Sequence, residues 1–353
     1  MSSKSLPKPA SKATLNKKFK VLAIETNGRL DITTEKGREN IDLLQKYYNA
    51  FSNLYGAILL SDAWKLFKLA EKDITSKRYI VKKDFLAYSE VARYEEHDYF
   101  VLEMDELYEE EERGTAANRF ILNKKLHSKG YARFAEYYRL SDEQFKHPIC
   151  VLDREELLSW AQPNTLWLSI EGRALKSFIE NLTVDSESEN VDVNGAKIAG
   201  KTLRDFIFWS KSDIYYHNYL TRAWEKKAFE EYHNVVESEI ILRSIEQYIN
   251  IQASHIKLPE EIGYLLKDME EVGVSIEKQE LETFLRLFTD FCNNSRQWVL
   301  SGWKPVELHV PNNSEAKPAI SFGKNMQKSF ADGSLNKEEV MEAIKKLGFD
   351  VIE

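Results

Sequence analysis

Residues 41–72 read IDLLQKYYNAFSNLYGAILLSDAWKLFKLAEK, and the fold turns on this stretch. Ile41, Leu44, Tyr48, Phe51 and Tyr55 recur at steps of three and four, which predicts a helix with one buried face. Gly56 ends that helix. Ala57 to Leu60 is short and apolar, fit for a strand, and Ser61 is a candidate N-cap for a helix from Asp62 to Lys72 with an acid in its first turn. A turn around Asp73 to Lys77 then leads to another helix through Phe85, Tyr88 and Val91. Tyr99 to Leu102 is aromatic and β-favouring. A second β segment follows either before the acidic run or after it, around Phe120 to Leu122. Helix, short strand, helix, turn, helix and hairpin is the element order of a winged helix-turn-helix. A winged-helix-like unit is therefore expected over about residues 40–112.

On the N-terminal side, Val21 to Thr33 alternates loosely and predicts a short strand. On the C-terminal side, helices are expected from about Ala117 to Leu140, over Val151 to Trp160 and over Arg173 to Leu182. Thr183 to Gly200 lacks large apolar side chains and is rich in Ser, Asp, Glu and Gly, as a linker is. From Lys201 the pattern is helical almost throughout. Val235, Val236, Ile240, Ile245, Tyr248 and Ile249 mark one long helix. Leu281, Phe284, Leu285, Phe288, Phe291 and Cys292 mark a second, with Ser275 as its candidate cap. Asn336, Glu339 and Gly348 bracket a last short helix. The expected fold class is mostly α: a basic disordered arm (1–20), a mainly helical domain (21–182) holding the winged-helix-like unit, a linker (183–200) and a C-terminal helical domain (201–353).

Composition limits the function. The chain has 353 residues, 43% of them hydrophobic, enough for a sizeable core. No apolar run approaches the roughly 18 residues of a membrane span, and the Lys-rich start has no apolar signal region. A cytoplasmic protein without membrane contact is expected. The two cysteines, Cys150 and Cys292, are too far apart for a local zinc knuckle. HExxH, CxxC and EF-hand patterns are missing, and the near pair Glu307 and His309 beside Pro305 reads as structural. GxSxG, GxxxxGK[ST] and GxGxxG are missing as well. Asp213 with Glu225, Lys226 and Lys227 reads as a solvated charged face rather than a nuclease centre. No catalytic residue, metal or cofactor is expected.

The net charge of −8 is unevenly spread. Residues 1–20 carry six lysines and no acid, which leaves −14 on the other 333 residues. From Glu95 to Glu112 there are ten carboxylates and no Lys or Arg. If the winged-helix reading holds, Lys82, Lys83 and Arg93 lie near the outward side of its recognition helix, and Lys17 and Lys18 of the arm can add phosphate contacts. The acidic stretch stands where a DNA-binding wing would carry cations, so charge disfavours nucleic acid.

Residues 293–308, NNSRQWVLSGWKPVEL, read as a structural corner. Asn294 lies at a helix end, Arg296 can hold carbonyls or a carboxylate, Trp298 anchors, Gly302 turns and Pro305 fixes the exit. This N-x-[ST]-R-x-W-x-x-x-G-x-x-P-x-E-L pattern resembles an uncharacterised group of Gram-positive, Firmicutes-type bacterial proteins. Asn53-Leu54-Tyr55-Gly56 leading into Asp62-Ala63-Trp64 is similar to them too, as is Ile320-Ser321-Phe322-Gly323 leading into Glu338 to Gly348. Some of that group end in a SecA C-terminal-type zinc-binding tail. Two distant cysteines cannot supply it, so no zinc-dependent role carries over. The resemblance implies a fold more than a function.

The expected function is that of a non-enzymatic adaptor or regulator that binds another protein. The alternative is a nucleic-acid-binding regulator using the Lys-rich arm and the helix around Lys82 and Arg93. The partner and the oligomeric state are not legible.

Overall fold

The computed structural model describes residues 6–72, 80–108, 113–127, 133–162, 165–182, 191–193, 196–198, 237–251, 258–271, 276–308, 319–321, 330–331, 336–346 and 350–352. The chain is mostly helical. It divides into two compact units, Met1–Thr165 with Gln297–Trp303, and Leu166–Arg296 with Lys304–Glu353. This division does not coincide with the linker expected at 183–200. Residues 166–182 belong to the second unit, and a seven-residue segment from far along the chain belongs to the first. A linker shows in composition, but a unit is defined by which side chains are packed together. Of 183–200, residues 191–193 and 196–198 form a two-stranded antiparallel ribbon, and the rest lie outside the described residues.

The first unit opens with α1 (Lys12–Glu25), capped by Ser11, whose hydroxyl accepts from the Thr14 amide. Two expectations fail here: residues 12–20 are not a disordered arm, and Val21 to Thr33 holds no strand. Phe19 and Leu22 are buried and Leu15 packs beside them, a spacing that draws one face of this lysine-rich segment into the core. Next comes α2 (Glu35–Tyr55), capped by Thr34, with Ile41, Leu44, Tyr48, Phe51 and Tyr55 buried. Its C-cap is Gly56 at φ +69°, in the left-handed region.

After Gly56 follow β1 (Ala57–Leu59), α3 (Leu60–Ala70), α4 (Lys82–Ala92), β2 (Tyr99–Leu102), the one-turn α5 (Met104–Leu107) and β3 (Phe120–Asn123). Leu59 precedes α3 where Ser61 was the expected cap. The sheet order is β1-β3-β2, antiparallel throughout, with Ala57 opposite Leu122 and Tyr99 opposite Asn123. The second β segment therefore lies after the acidic run, and the helix expected over 117–140 is corrected to β3 followed by α6 (Ala135–Gln144). An apolar run as short as Phe120 to Leu122 carries no decisive period; pairing with two strands makes it extended. The helix α7 (Arg154–Ser159), capped by Asp153, completes the set. Tyr47, Tyr48, Phe67, Phe85 and Tyr88 form the aromatic centre of the core, with Tyr47 edge-on to Phe67 at 4.8 Å.

In the second unit, α8 (Ile170–Glu180) is followed by the ribbon β4 (Val191–Val193) and β5 (Ala196–Ile198), then α9 (Glu237–Asn250), α10 (Leu258–Glu271) and α11 (Lys278–Asn294). The cap of α11 is Glu277, in a capping box with Glu280, and Ser275 lies outside the described residues. Phe284, Phe288 and Phe291 fill its buried face, Phe291 stacking on Trp167 at 4.9 Å. The one-turn α12 (Pro305–Leu308), β6 (Ala319–Ser321), α13 (Lys337–Lys346) and β7 (Asp350–Ile352) end the chain, with β6 and β7 parallel.

Both cysteines are reduced and buried, at 2% and 4% exposure, and burial pushes the Cys292 thiol well above its ordinary value. Neither should react with a thiol reagent at neutral pH until the chain unfolds. Stoichiometric labelling of the folded protein would contradict this placement.

Candidate functional site

The helix α4 and the connection after it decide what the first unit can touch. Lys82 and Lys83 are exposed at its first turn. Beyond that turn, Asp84, Phe85, Tyr88, Ser89, Val91 and Ala92 are all buried, so little of the helix faces solvent. Much of this cover comes from α1, which runs alongside. At one end, Arg29 just past α1 grips the fully buried Asp84 carboxylate through two bonds of 2.6 and 2.8 Å. At the other, the Ala10 amide donates to the Tyr94 carbonyl, and Lys18 Nζ sits 3.8 Å above the Tyr94 ring. Lys18 is therefore half-buried, while Lys17 points out.

Arg93 is not on the outward side, which corrects the expectation for this residue. Its side chain is 5% exposed. It donates to both oxygens of Glu106, at 3.0 and 2.8 Å, and to the Val101 carbonyl. Burial alone would lower the guanidinium, but the bond and charge of Glu106, with Glu103 near by, hold it above its ordinary value.

Glu103 is the centre of this network. One of its oxygens accepts from Arg119 at 2.8 Å and from Arg113 at 3.1 Å, and lies 3.7 Å from Arg93. Arg119 is 4% exposed and also reaches the Ser89 hydroxyl and Glu90. Arg93, Glu103 and Arg119 thus link the ends of α4 and β2 with the start of β3 by buried charge pairs, with Arg93 Nε and the second Glu103 oxygen left without a hydrogen bond. Sequence reasoning missed Arg119 and read the acidic stretch that holds Glu103 and Glu106 as a wing. The one local signal was Glu106 placed to cap Glu103, whose amide donates to it at 2.8 Å.

The connection is folded inward at its far end as well. Tyr138 donates to the Leu107 carbonyl, and the Tyr108 and Tyr137 hydroxyls are 2.7 Å apart. Glu109 to Glu112 lie outside the described residues.

The corner of residues 297–303 is the other constellation. The Gln297 amide donates to the Trp303 carbonyl and the Gly302 amide to the Gln297 carbonyl, closing a tight loop. Trp298 is 2% exposed, and its indole N–H donates to the Asn53 carbonyl at 2.8 Å. A Cβ on Gly56 would lie 2.4 Å from the Trp298 ring, so Gly56 meets two demands at once, a positive φ and a flat neighbour. Gly302, at φ +85°, meets Tyr55 in the same way. The Gln144 amide donates to the carbonyls of both Tyr55 and Trp298, Ser301 donates to the Gln144 carbonyl, and the Cys150 amide donates to the Ser301 carbonyl. These hydrogen bonds tie residues 297–303 to Asn53, Tyr55, Gln144 and Cys150.

Within the second unit, Arg296 donates to both oxygens of Glu307, which also accepts from the Lys304 amide. Glu307 is thereby engaged, and His309 lies outside the described residues, as do Asp213 and Glu225 to Lys227. Asn294 donates back to the Asp290 carbonyl, and Pro305 occupies the first position of α12.

Among the described residues no three or more His, Cys, Asp or Glu side chains are grouped to hold a metal ion, and no helix is long and apolar enough to cross a membrane. No family model, curated protein or solved structure matches the chain.

Proposed function

We propose that this protein is a non-enzymatic adaptor or regulator that acts by binding another protein, and that its first unit is a winged-helix-like module turned to that use. The order α2, β1, α3, α4, β2, β3 and the sheet order β1-β3-β2 support the module. In helix-turn-helix proteins the second helix of the pair lies in the major groove and reads bases. Here that helix is α4. One observation carries the functional reading: α1 runs along α4 while Arg93, its basic residue nearest the hairpin, is consumed by Glu103 and Glu106. The connection that would serve as a wing is acidic and pinned inward by Arg119 and Tyr138. An acidic connection of this kind repels phosphates.

The test is a titration of the full chain with random-sequence duplex DNA across salt concentrations. Weak binding at low salt, carried by Lys17, Lys20, Lys82 and Lys83, should vanish by physiological salt. Four such contacts set a log–log slope of no more than about 4. Tight binding that persists at physiological salt, and that Lys82→Ala with Lys83→Ala abolishes, would replace the adaptor with the nucleic-acid-binding regulator.

A further inference from the structure

The outward face of α1 mixes exposed apolar groups with lysines. Lys17, Val21 and Ile24 follow one another at i, i+4 and i+7, so they share one side of the helix, with Lys20 adjoining. The lysines are exposed, Val21 is 53% exposed and Ile24 78%. The Arg29–Asp84 pair brings this end of α1 to the start of α4, where Val81 is 42% exposed beside exposed Lys82 and Lys83. Val21 and Ile24 thus stand beside Lys17, Lys20 and the exposed Glu25, and Val81, Lys82 and Lys83 follow at the start of α4, in a chain whose net charge is −8.

We infer that this face of α1, with the first turn of α4, docks an acidic amphipathic helix of a partner protein. The inference rests on the protein-binding reading above and names its surface. Carboxylates on the partner would meet Lys17, Lys20, Lys82 and Lys83, while leucine-like side chains at i, i+3 and i+4 would cover Val21, Ile24 and Val81. Charge complementarity selects this occupant, and the acidic remainder of the chain discourages such a helix from settling elsewhere. Duplex DNA would leave Ile24 and Val21 stranded against phosphates and water. A membrane surface would gain little from three small aliphatic groups without an aromatic anchor.

The experiment uses the full chain and a labelled synthetic helical peptide of about four turns, glutamate on one side and leucine on the other. The controls are a scrambled peptide of equal composition, random-sequence duplex DNA, and phosphatidylcholine vesicles with about a fifth phosphatidylserine. The amphipathic peptide should bind about tenfold tighter than the scrambled one, and Ile24→Glu or Lys17→Glu should remove that preference. Lys146→Glu, at an exposed lysine away from this face, should leave it intact, with helical content checked by circular dichroism throughout. Equal binding of the two peptides, or none, would overturn the docking surface; if DNA also fails to bind, the adaptor reading stands without it. DNA or vesicle binding that these variants abolish would overturn the docked helix, and DNA binding that persists at physiological salt would overturn the adaptor reading with it.

Discussion

Trp298→Ala should cost the first unit about 3–5 kcal/mol, the usual range for emptying a buried tryptophan site. The ring is 2% exposed and lies against Gly56, and its N–H is the partner of the Asn53 carbonyl. Three losses coincide: the ring's transfer energy, a cavity beside a glycine that has no side chain to fill it, and an orphaned carbonyl. Because the segment is held by several carbonyls at once, the loss should spread to the Gln144 and Cys150 contacts. Denaturant unfolding, with hydrogen exchange at Tyr55 and Gly56, checks this. Trp298→Phe keeps most of the volume and loses the indole bond, so its cost should fall to about 1–2 kcal/mol. An alanine variant with an unchanged midpoint would show that the 297–303 loop does not anchor the first unit.

Glu103→Leu should be comparably damaging, at about 3–5 kcal/mol, because breaking a buried ion pair leaves a charge without compensation. Arg119 would keep only the Ser89 hydroxyl and the half-exposed Glu90. Arg93 would keep Glu106 and the Val101 carbonyl. The loss should be little changed by added salt, since ions do not screen charges this deeply buried. Adding Arg119→Met should recover much of it, because two apolar groups in place of an ion pair leave no unmatched charge. Denaturant midpoints for the two single variants and the double variant close the cycle. If the double variant were no more stable than Glu103→Leu, the two side chains would not be acting as a pair.

Both sites show where sequence reading loses its grip. The corner was legible as a corner, because a polar helix end, a glycine and a proline are local signals. Its seat was not: Asn53, Gly56, Gln144 and Cys150 lie some 150 to 245 positions away. Arg93 looked outward because a cation beside an apolar stripe is ordinarily solvated, and the carboxylates that bury it follow ten and thirteen residues later. The lysines of α1 drew attention to charge, although Leu15, Phe19 and Leu22 already carried the period of a half-buried helix.

The sequence by itself determined the mostly helical class, the order of helix, strand, helix and helix from Glu35 to Ala92, the apolar face of α11 and the stop at Gly56. Each follows from chemistry that acts within a turn or two of the backbone: side-chain period and a residue tolerant of positive φ. Only the tertiary structure decided that α1 lies along α4, that β3 falls after the acidic run, that Arg93 and Arg119 are internal, and that residues 297–303 return to the first unit. Those outcomes depend on burial and on pairing between groups distant in the chain. Which carboxylate meets which guanidinium, and which glycine lies under which indole, is settled by close packing in three dimensions, and no local period encodes it.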